Sequence, residues 1–169
     1  MLADVGGQPM LNRTIRCLLD GGVAEVVVVL APEMDGAMTS VALLADARVR
    51  IAVNPDPSRG MFSSIQIGMA ATTGDPILVL PGDMPFVKAE TVAALLAAYA
   101  REPRLISPQC DGRRGHPIVV PAGLRNVIAG ADQTADLSAA LGPFKHGRLI
   151  VEVADRGILR DVDLVEDLK

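Results

Sequence analysis

Ile77-Leu78-Val79-Leu80-Pro81-Gly82-Asp83-Met84-Pro85-Phe86-Val87 is the stretch on which the fold of this chain turns. Four apolar residues form a buried strand, and Pro81-Gly82 ends it in a turn. That turn delivers one carboxylate, Asp83, to the strand's C-terminal rim, where open α/β sheets bind their ligands. A lone carboxylate at such a rim suits a hard cation such as Mg²⁺ carrying a nucleotide's phosphates. It equally suits an aspartate that hydrogen-bonds its own turn.

Outward from this tract the pattern alternates. Glu25–Ala31 is a continuous β-branched run fit for a strand buried on both faces, and Val49–Val53 is a second strand. Leu11, Ile15, Leu18 and Leu19 repeat at helical spacing between Pro9 and the Gly21-Gly22 stop. Further helices are expected over Gly36–Asp46, from Ser63 or Ser64 to Thr73, and over Lys88–Arg101, where Val92, Leu95, Leu96 and Tyr99 make the apolar stripe. Leu105–Ser107, Ile118–Val120 and Leu149–Val153 read as strands, with short helices at Ala122–Ala129 and Ala135–Leu141. Strands alternating with helices imply an α/β fold of βαβ units, with a mostly parallel sheet and right-handed crossovers.

The 169 residues are expected to form one domain, 1–169, with no linker or repeat. Half of them are apolar, yet there are three Phe, one Tyr and no Trp, so the core is aliphatic. A net charge of −4 and so few aromatics argue against a nucleic-acid surface. No apolar run approaches the ~20 residues that cross a bilayer, and the N-terminus has no secretion pattern, so a cytoplasmic protein is expected. Cys17 and Cys110 read as reduced, packed thiols.

Three further segments carry polar chemistry. Asn54-Pro55-Asp56-Pro57-Ser58-Arg59-Gly60-Met61-Phe62-Ser63-Ser64 joins a strand to a helix, and its serines suit either a helix cap or an anion site. Arg113-Arg114-Gly115-His116-Pro117 is either a solvated hairpin edge or a phosphate clamp. The Asp161-Val162-Asp163 pair of acids is, in isolation, surface decoration more often than a metal site.

Taken in order, these segments resemble the MobA/MocA-like nucleotidyltransferases, and among them the molybdenum cofactor cytidylyltransferases. Leu2-Ala3-Asp4-Val5-Gly6-Gly7-Gln8-Pro9-Met10-Leu11 resembles that family's "L…v-g-g-x-P-L-L", and Asn54-Pro55 with Gly60-Met61-Phe62-Ser63-Ser64-Ile65 its "N-P…G-M-S-S-S-L". Pro81–Pro85 resembles "x-G-D-M-P", Gly115–Ile118 "G-H-P-V", and Leu159–Leu168 "L-x-D-I-D-T-P-E-D-L". The resemblance implies a Rossmann-like three-layer sandwich and a Mg²⁺-dependent transfer of CMP (or GMP) from CTP or GTP to a phosphorylated, molybdopterin-type acceptor, with release of pyrophosphate. Asp83 and Asp163 would act at the reacting centre and hold Mg²⁺, with Asp161 close behind. Asn54, Ser63, Ser64 and Gly82 would face the nucleotide, and Arg114 and His116 the acceptor. A molybdoenzyme or its chaperone would be the protein partner.

The sequence also departs from that pattern. A glycine-rich "L-A-A-G-x-S-x-R-M-G-x-x-K" strand and loop normally precedes "L-L-x-x-v-g-g", and this chain begins where that segment ends. The first strand, central in the family's sheet, is accordingly read as missing, through a late-assigned start or degeneration, and transfer is expected to be weak or absent. The family's "G-D-x-G-A-R" reads Ala131-Asp132-Gln133-Thr134-Ala135-Asp136 here, and Leu164-Val165 replaces "T-P". Two rival functions follow: a non-catalytic cofactor-binding or accessory module for a molybdoenzyme, and a redox enzyme on the same scaffold, for which no flavin or nicotinamide fingerprint is visible.

Overall fold

The computed structural model describes residues 4–34, 41–132 and 134–162. The strands are β1 (Val26–Leu30), β2 (Val49–Val53), β3 (Ile77–Val79), β4 (Ile106–Cys110), β5 (Arg113–Arg114), β6 (Ile118–Val120) and β7 (Leu149–Glu152). The α-helices are α1 (Met10–Asp20), α2 (Met61–Ala71), α3 (Ala89–Arg101), α4 (Arg125–Ala129) and α5 (Leu137–Ala140). The helix expected over Gly36–Asp46 is replaced, in its described part, by a 3₁₀ turn at Ala42–Ala45; residues 35–40 lie outside the described residues.

Three layers form because the strands' alternate residues feed two aliphatic cores. Leu78 and Leu80 join the cluster of Leu11, Ile15 and Leu18 from α1 with Val92 from α3. Ile77 and Val79 face the other way, into the cluster of Phe62 and Met69 from α2, Ile128 from α4 and Leu137 from α5. Tyr99, read from its spacing as part of an apolar stripe, is buried, yet its hydroxyl donates to Asp75 at 2.6 Å. Cys17 and Cys110 are buried free thiols, and burial pushes the Cys17 thiol up to about 12. Among the described residues no helix is long and apolar enough to cross a membrane.

The α/β, Rossmann-like sandwich is therefore present, but its strands make two sheets rather than one mostly parallel one. β1 and β2 pair in parallel as a two-stranded sheet. The other sheet is mixed: β3–β6, β4–β6 and β4–β5 are antiparallel, and β4–β7 is parallel. The antiparallel pairs follow from the tight Asp111-Gly112 turn, which folds β5 back on β4 and returns the chain as β6 between β3 and β4. Between β1 and β3 no described strand pairs with either facing edge. A cavity of about 960 Å³ occupies that gap, between Ile15 of α1 and Ile65 of α2, and it opens toward Asp83.

Candidate active site

Asp83 stands where the sequence places it, just past the end of β3. Its Oδ1 is buried and has no hydrogen-bond partner, and no described residue donates to its carboxylate. The turn-stabilising role is thereby set aside. The main chain around Asp83 is fixed instead by neighbours: Thr14 Oγ1 donates to the Gly82 carbonyl at 3.1 Å, and Val162 N–H donates to the Asp83 carbonyl at 2.9 Å. That second bond ties the C-terminal Asp-Val-Asp segment to the strand that carries Asp83, although the two are 79 positions apart in the sequence (162 − 83). Asp161 is exposed. Asp163 lies outside the described residues.

The Asn54–Ser64 loop is held from within. Asn54 is 1% exposed, and its side-chain amide donates to Ser63 Oγ at 2.8 Å and Ser64 Oγ at 3.0 Å. Its carbonyl oxygen accepts from Asp56 N at 3.1 Å, and so Asn54 is spent on shaping the loop. Of the two roles open to the serines, the helix cap is not formed. The α2 helix starts at Met61 behind Gly60, and Ser63 Oγ donates backward to the Gly60 carbonyl at 2.7 Å. Ser64, one position on, lines the same cavity as Gly82, Asp83 and His116. Its hydroxyl accepts from Asn54 and keeps its own proton for a ligand.

His116 stands between two spaces. It lines the large cavity with Asp83 and also a smaller one of about 470 Å³ with Arg113, Arg114, Arg148 and Ser107. Its Nδ1 lies 3.3 Å from the Val79 carbonyl. Burial pushes the imidazole below its ordinary value near 6.5, opposed by the Val79 carbonyl and the Asp83 charge. The neutral ring therefore donates from Nδ1 to Val79 and presents Nε2 to the cavities. Unfolding takes up a proton at His116, so its contribution to stability is complete above pH 6.5 and declines as pH falls below 6.5. An NMR titration of the His116 ring should give a midpoint below 6.5, displaced further down in Asp83→Asn. A midpoint at or above 6.5 refutes the burial account.

What holds these parts together is a buried carboxylate that no motif marks. Asp155, 3% exposed, accepts from Lys88 N (2.9 Å) and Thr91 Oγ1 (2.7 Å) at the start of α3, and from Gly157 N (2.9 Å). The Arg156–Leu159 turn it anchors lies against Phe86, after Asp83, and against Gly115, and its Ile158 carbonyl accepts from His116 N at 3.0 Å. A Cβ on Gly157 would sit 2.0 Å from the Phe86 carbonyl oxygen, and one on Gly115 would sit 2.0 Å from that of Ile158. Glycine is required at both for the backbones to touch. A lone Asp before Arg-Gly carries no pattern that marks such a hub.

A Mycobacterium tuberculosis protein solved in complex with manganese superposes with a TM-score of 0.73 at 16% identity, over 98% of this chain and 86% of that one. A nicotine blue oxidoreductase of Paenarthrobacter nicotinovorans is 34% identical over 96% of this chain and 82% of its own length. A phosphoenolpyruvate guanylyltransferase of Geodermatophilus obscurus is 31% identical over 69% of this chain, which spans 52% of that protein. The fold and the family match define a nucleotidyltransferase. The chain belongs to the MobA-like NTP transferase domain family, whose match covers residues 1–149.

Nucleotidyltransferases of this fold commonly use a divalent metal. Asp83 fits such an ion: a buried carboxylate oxygen without a donor is the hard ligand that Mg²⁺ or Mn²⁺ takes. Among the described residues no group of three or more His, Cys, Asp or Glu side chains could hold a metal. One carboxylate completed by water and substrate phosphates is the arrangement Mg²⁺ favours.

Proposed function

We propose that this protein is a nucleotidyltransferase of the molybdenum cofactor cytidylyltransferase type, transferring CMP, or GMP, from the triphosphate to a phosphorylated pterin. The observation that carries this reading is the unpartnered Oδ1 of Asp83, in a cavity shared with Ser64 and His116. An oxygen of the acceptor's phosphate attacks the α-phosphorus, the α–β anhydride bond breaks, and pyrophosphate leaves. Such a transfer needs positioning and charge neutralisation more than acid–base groups. Asp83, with Asp163 and then Asp161 as the further acids, would hold a divalent ion, which would supply the neutralisation. Ser64 hydrogen-bonds the nucleotide, helped by the backbone at Gly82 and by Ser63 and Asn54, which hold the loop. Arg114 and His116 face the acceptor.

The guanylyltransferase relative supports a phosphorylated small-molecule acceptor and keeps GTP open beside CTP. The test measures pyrophosphate release from CTP and GTP with Mg²⁺ and molybdopterin. The expected result is metal-dependent binding of CTP, with pyrophosphate release that requires both the metal and the pterin. Absence of metal-dependent binding of either nucleotide rejects the reading. Pterin binding that survives Asp83→Ala, without nucleotide binding, favours the accessory module.

The 34% identity to nicotine blue oxidoreductase supports a second reading, a redox enzyme on this scaffold. Visible flavin absorbance in the purified protein, or oxidation of a reduced nicotinamide by it, would move the assignment there.

A further inference from the structure

The smaller cavity, which His116 also lines and Asp83 does not, has the chemistry of an anion seat. Its lining carries three guanidinium groups, Arg113, Arg114 and Arg148, and no carboxylate. Among the described residues the ion pairs involve Arg48, Arg50, Arg104 and Arg156, and none of these three. Cations gathered in a concave site without counter-charge raise the local concentration of anions.

Two buried polar atoms point the same way. Ser107 lies within β4 and is 1% exposed, yet its Oγ has no partner. Ser107 alternates with Ile106, which is buried with α3, so its hydroxyl faces away from that helix and lines the cavity. Arg148 precedes β7, which pairs with β4 so that Ile150 stands opposite Ser107. Its Nε is likewise buried and unpartnered. Burial and the neighbouring Arg114 both push the Arg148 guanidinium below its ordinary value, so its charge lacks compensation where it stands. Arg148 also lines the large cavity, as His116 does, and the two spaces adjoin at these side chains.

We propose that Ser107, Arg148 and Arg114 form the seat of the acceptor's phosphate, Ser107 donating one hydrogen bond and the guanidiniums gripping the remaining oxygens. The inference rests on the transferase reading above. It adds Ser107 and Arg148, which no sequence motif marks, and makes the seat's preference a tetrahedral dianion. Planar forks and a hydroxyl donor match phosphate, and charge-assisted bonds of this kind are the strong ones.

The experiment titrates the full chain with inorganic phosphate, and separately with acetate, at constant ionic strength. Binding is followed by amide chemical shifts of Ser107 and Arg148 and by the rise in melting temperature. Phosphate should bind at this cavity at least tenfold more tightly than acetate. Arg148→Ala should weaken phosphate roughly ten- to hundredfold, Arg148→Lys less, and Ser107→Ala severalfold. Arg156→Ala, whose partner is Asp111 on the surface, is the control and should bind as wild type. Removing an unpartnered hydroxyl or an uncompensated charge leaves no orphan behind, so both seat variants should melt no lower than wild type. If one fails to fold, the other and Arg148→Lys decide the matter. Phosphate binding unchanged in both seat variants, or acetate bound as tightly as phosphate, overturns the proposal. Metal-dependent binding of CTP and of GTP is measured in the same samples. A phosphate seat in a protein that binds neither CTP nor GTP keeps the anion site but removes the transferase reading and with it the acceptor assignment; nucleotide binding without the seat overturns this inference and leaves the transferase reading standing.

Discussion

Asp83→Asn should melt at or slightly above the wild-type temperature and lose the stabilisation that a divalent ion with CTP confers. A carboxylate oxygen buried without a donor costs the fold about 1–3 kcal/mol, and the amide carries a smaller desolvation penalty. The free protein therefore gains from the substitution. The bound protein loses. Changing a group that merely orients a ligand typically weakens metal binding 10–100-fold, and a direct ligand should cost at least about 100-fold. Nucleotide at roughly 100 times its dissociation constant stabilises by about 2.7 kcal/mol, which corresponds to about 5–10 °C for a chain of this size. Differential scanning fluorimetry with Mn²⁺ or Mg²⁺ and CTP should show that rise in wild type and less than about 2 °C in Asp83→Asn. A variant that melts lower, or keeps the full rise, would return Asp83 to a structural role. Raised stability coupled to lost binding is the signature of a site held in a destabilised state for its ligand.

Asp83 was legible from sequence because its position depends on local chemistry alone. An apolar run must end at Pro-Gly, and the next side chain is delivered to the rim wherever the strand lies in the sheet. The same holds for β2, β6 and α3, whose observed bounds, Val49–Val53, Ile118–Val120 and Ala89–Arg101, lie within a residue of the expectation. Local signals failed where pairing decides. Nothing in Leu105–Ser107 or Ile118–Val120 says that these strands run in opposite directions, because alternation reads the same in either direction. Ser63 failed for a related reason. Its type and place suited a cap, but Asn54 at the end of β2 and Gly60 capture its hydroxyl, and the helix begins two residues earlier. Ser107 and Arg148 were illegible because their meaning is an absence of partners, which only the assembled sheet reveals.

Asp155 is the opposite case to Asp83, and its loss should be the most damaging single change to stability. Its carboxylate accepts three bonds, and Asp155→Ala leaves Lys88 N, Thr91 Oγ1 and Gly157 N without that partner in a buried setting. Breaking a buried charged network from one side costs about 3–5 kcal/mol, or roughly 6–20 °C in melting temperature. Asp155→Asn should fall between, since one oxygen can still accept from α3 while its amide meets the Gly157 donor head-on. Gly157→Ala acts on the same turn by sterics. A Cβ 2.0 Å from the Phe86 carbonyl oxygen cannot be accommodated by a rotamer, so the backbone must separate. That separation strains the segment whose Val162 N–H holds the Asp83 carbonyl. Thermal melts should therefore drop in Asp155→Ala and Gly157→Ala without any metal or nucleotide present, the reverse of Asp83→Asn. The Val162 amide should also exchange with solvent faster in both, because the turn that precedes it has lost its anchor. Melting within about 2 °C of wild type in both would mean that the Arg156–Leu159 turn rests passively against the site and does not hold it.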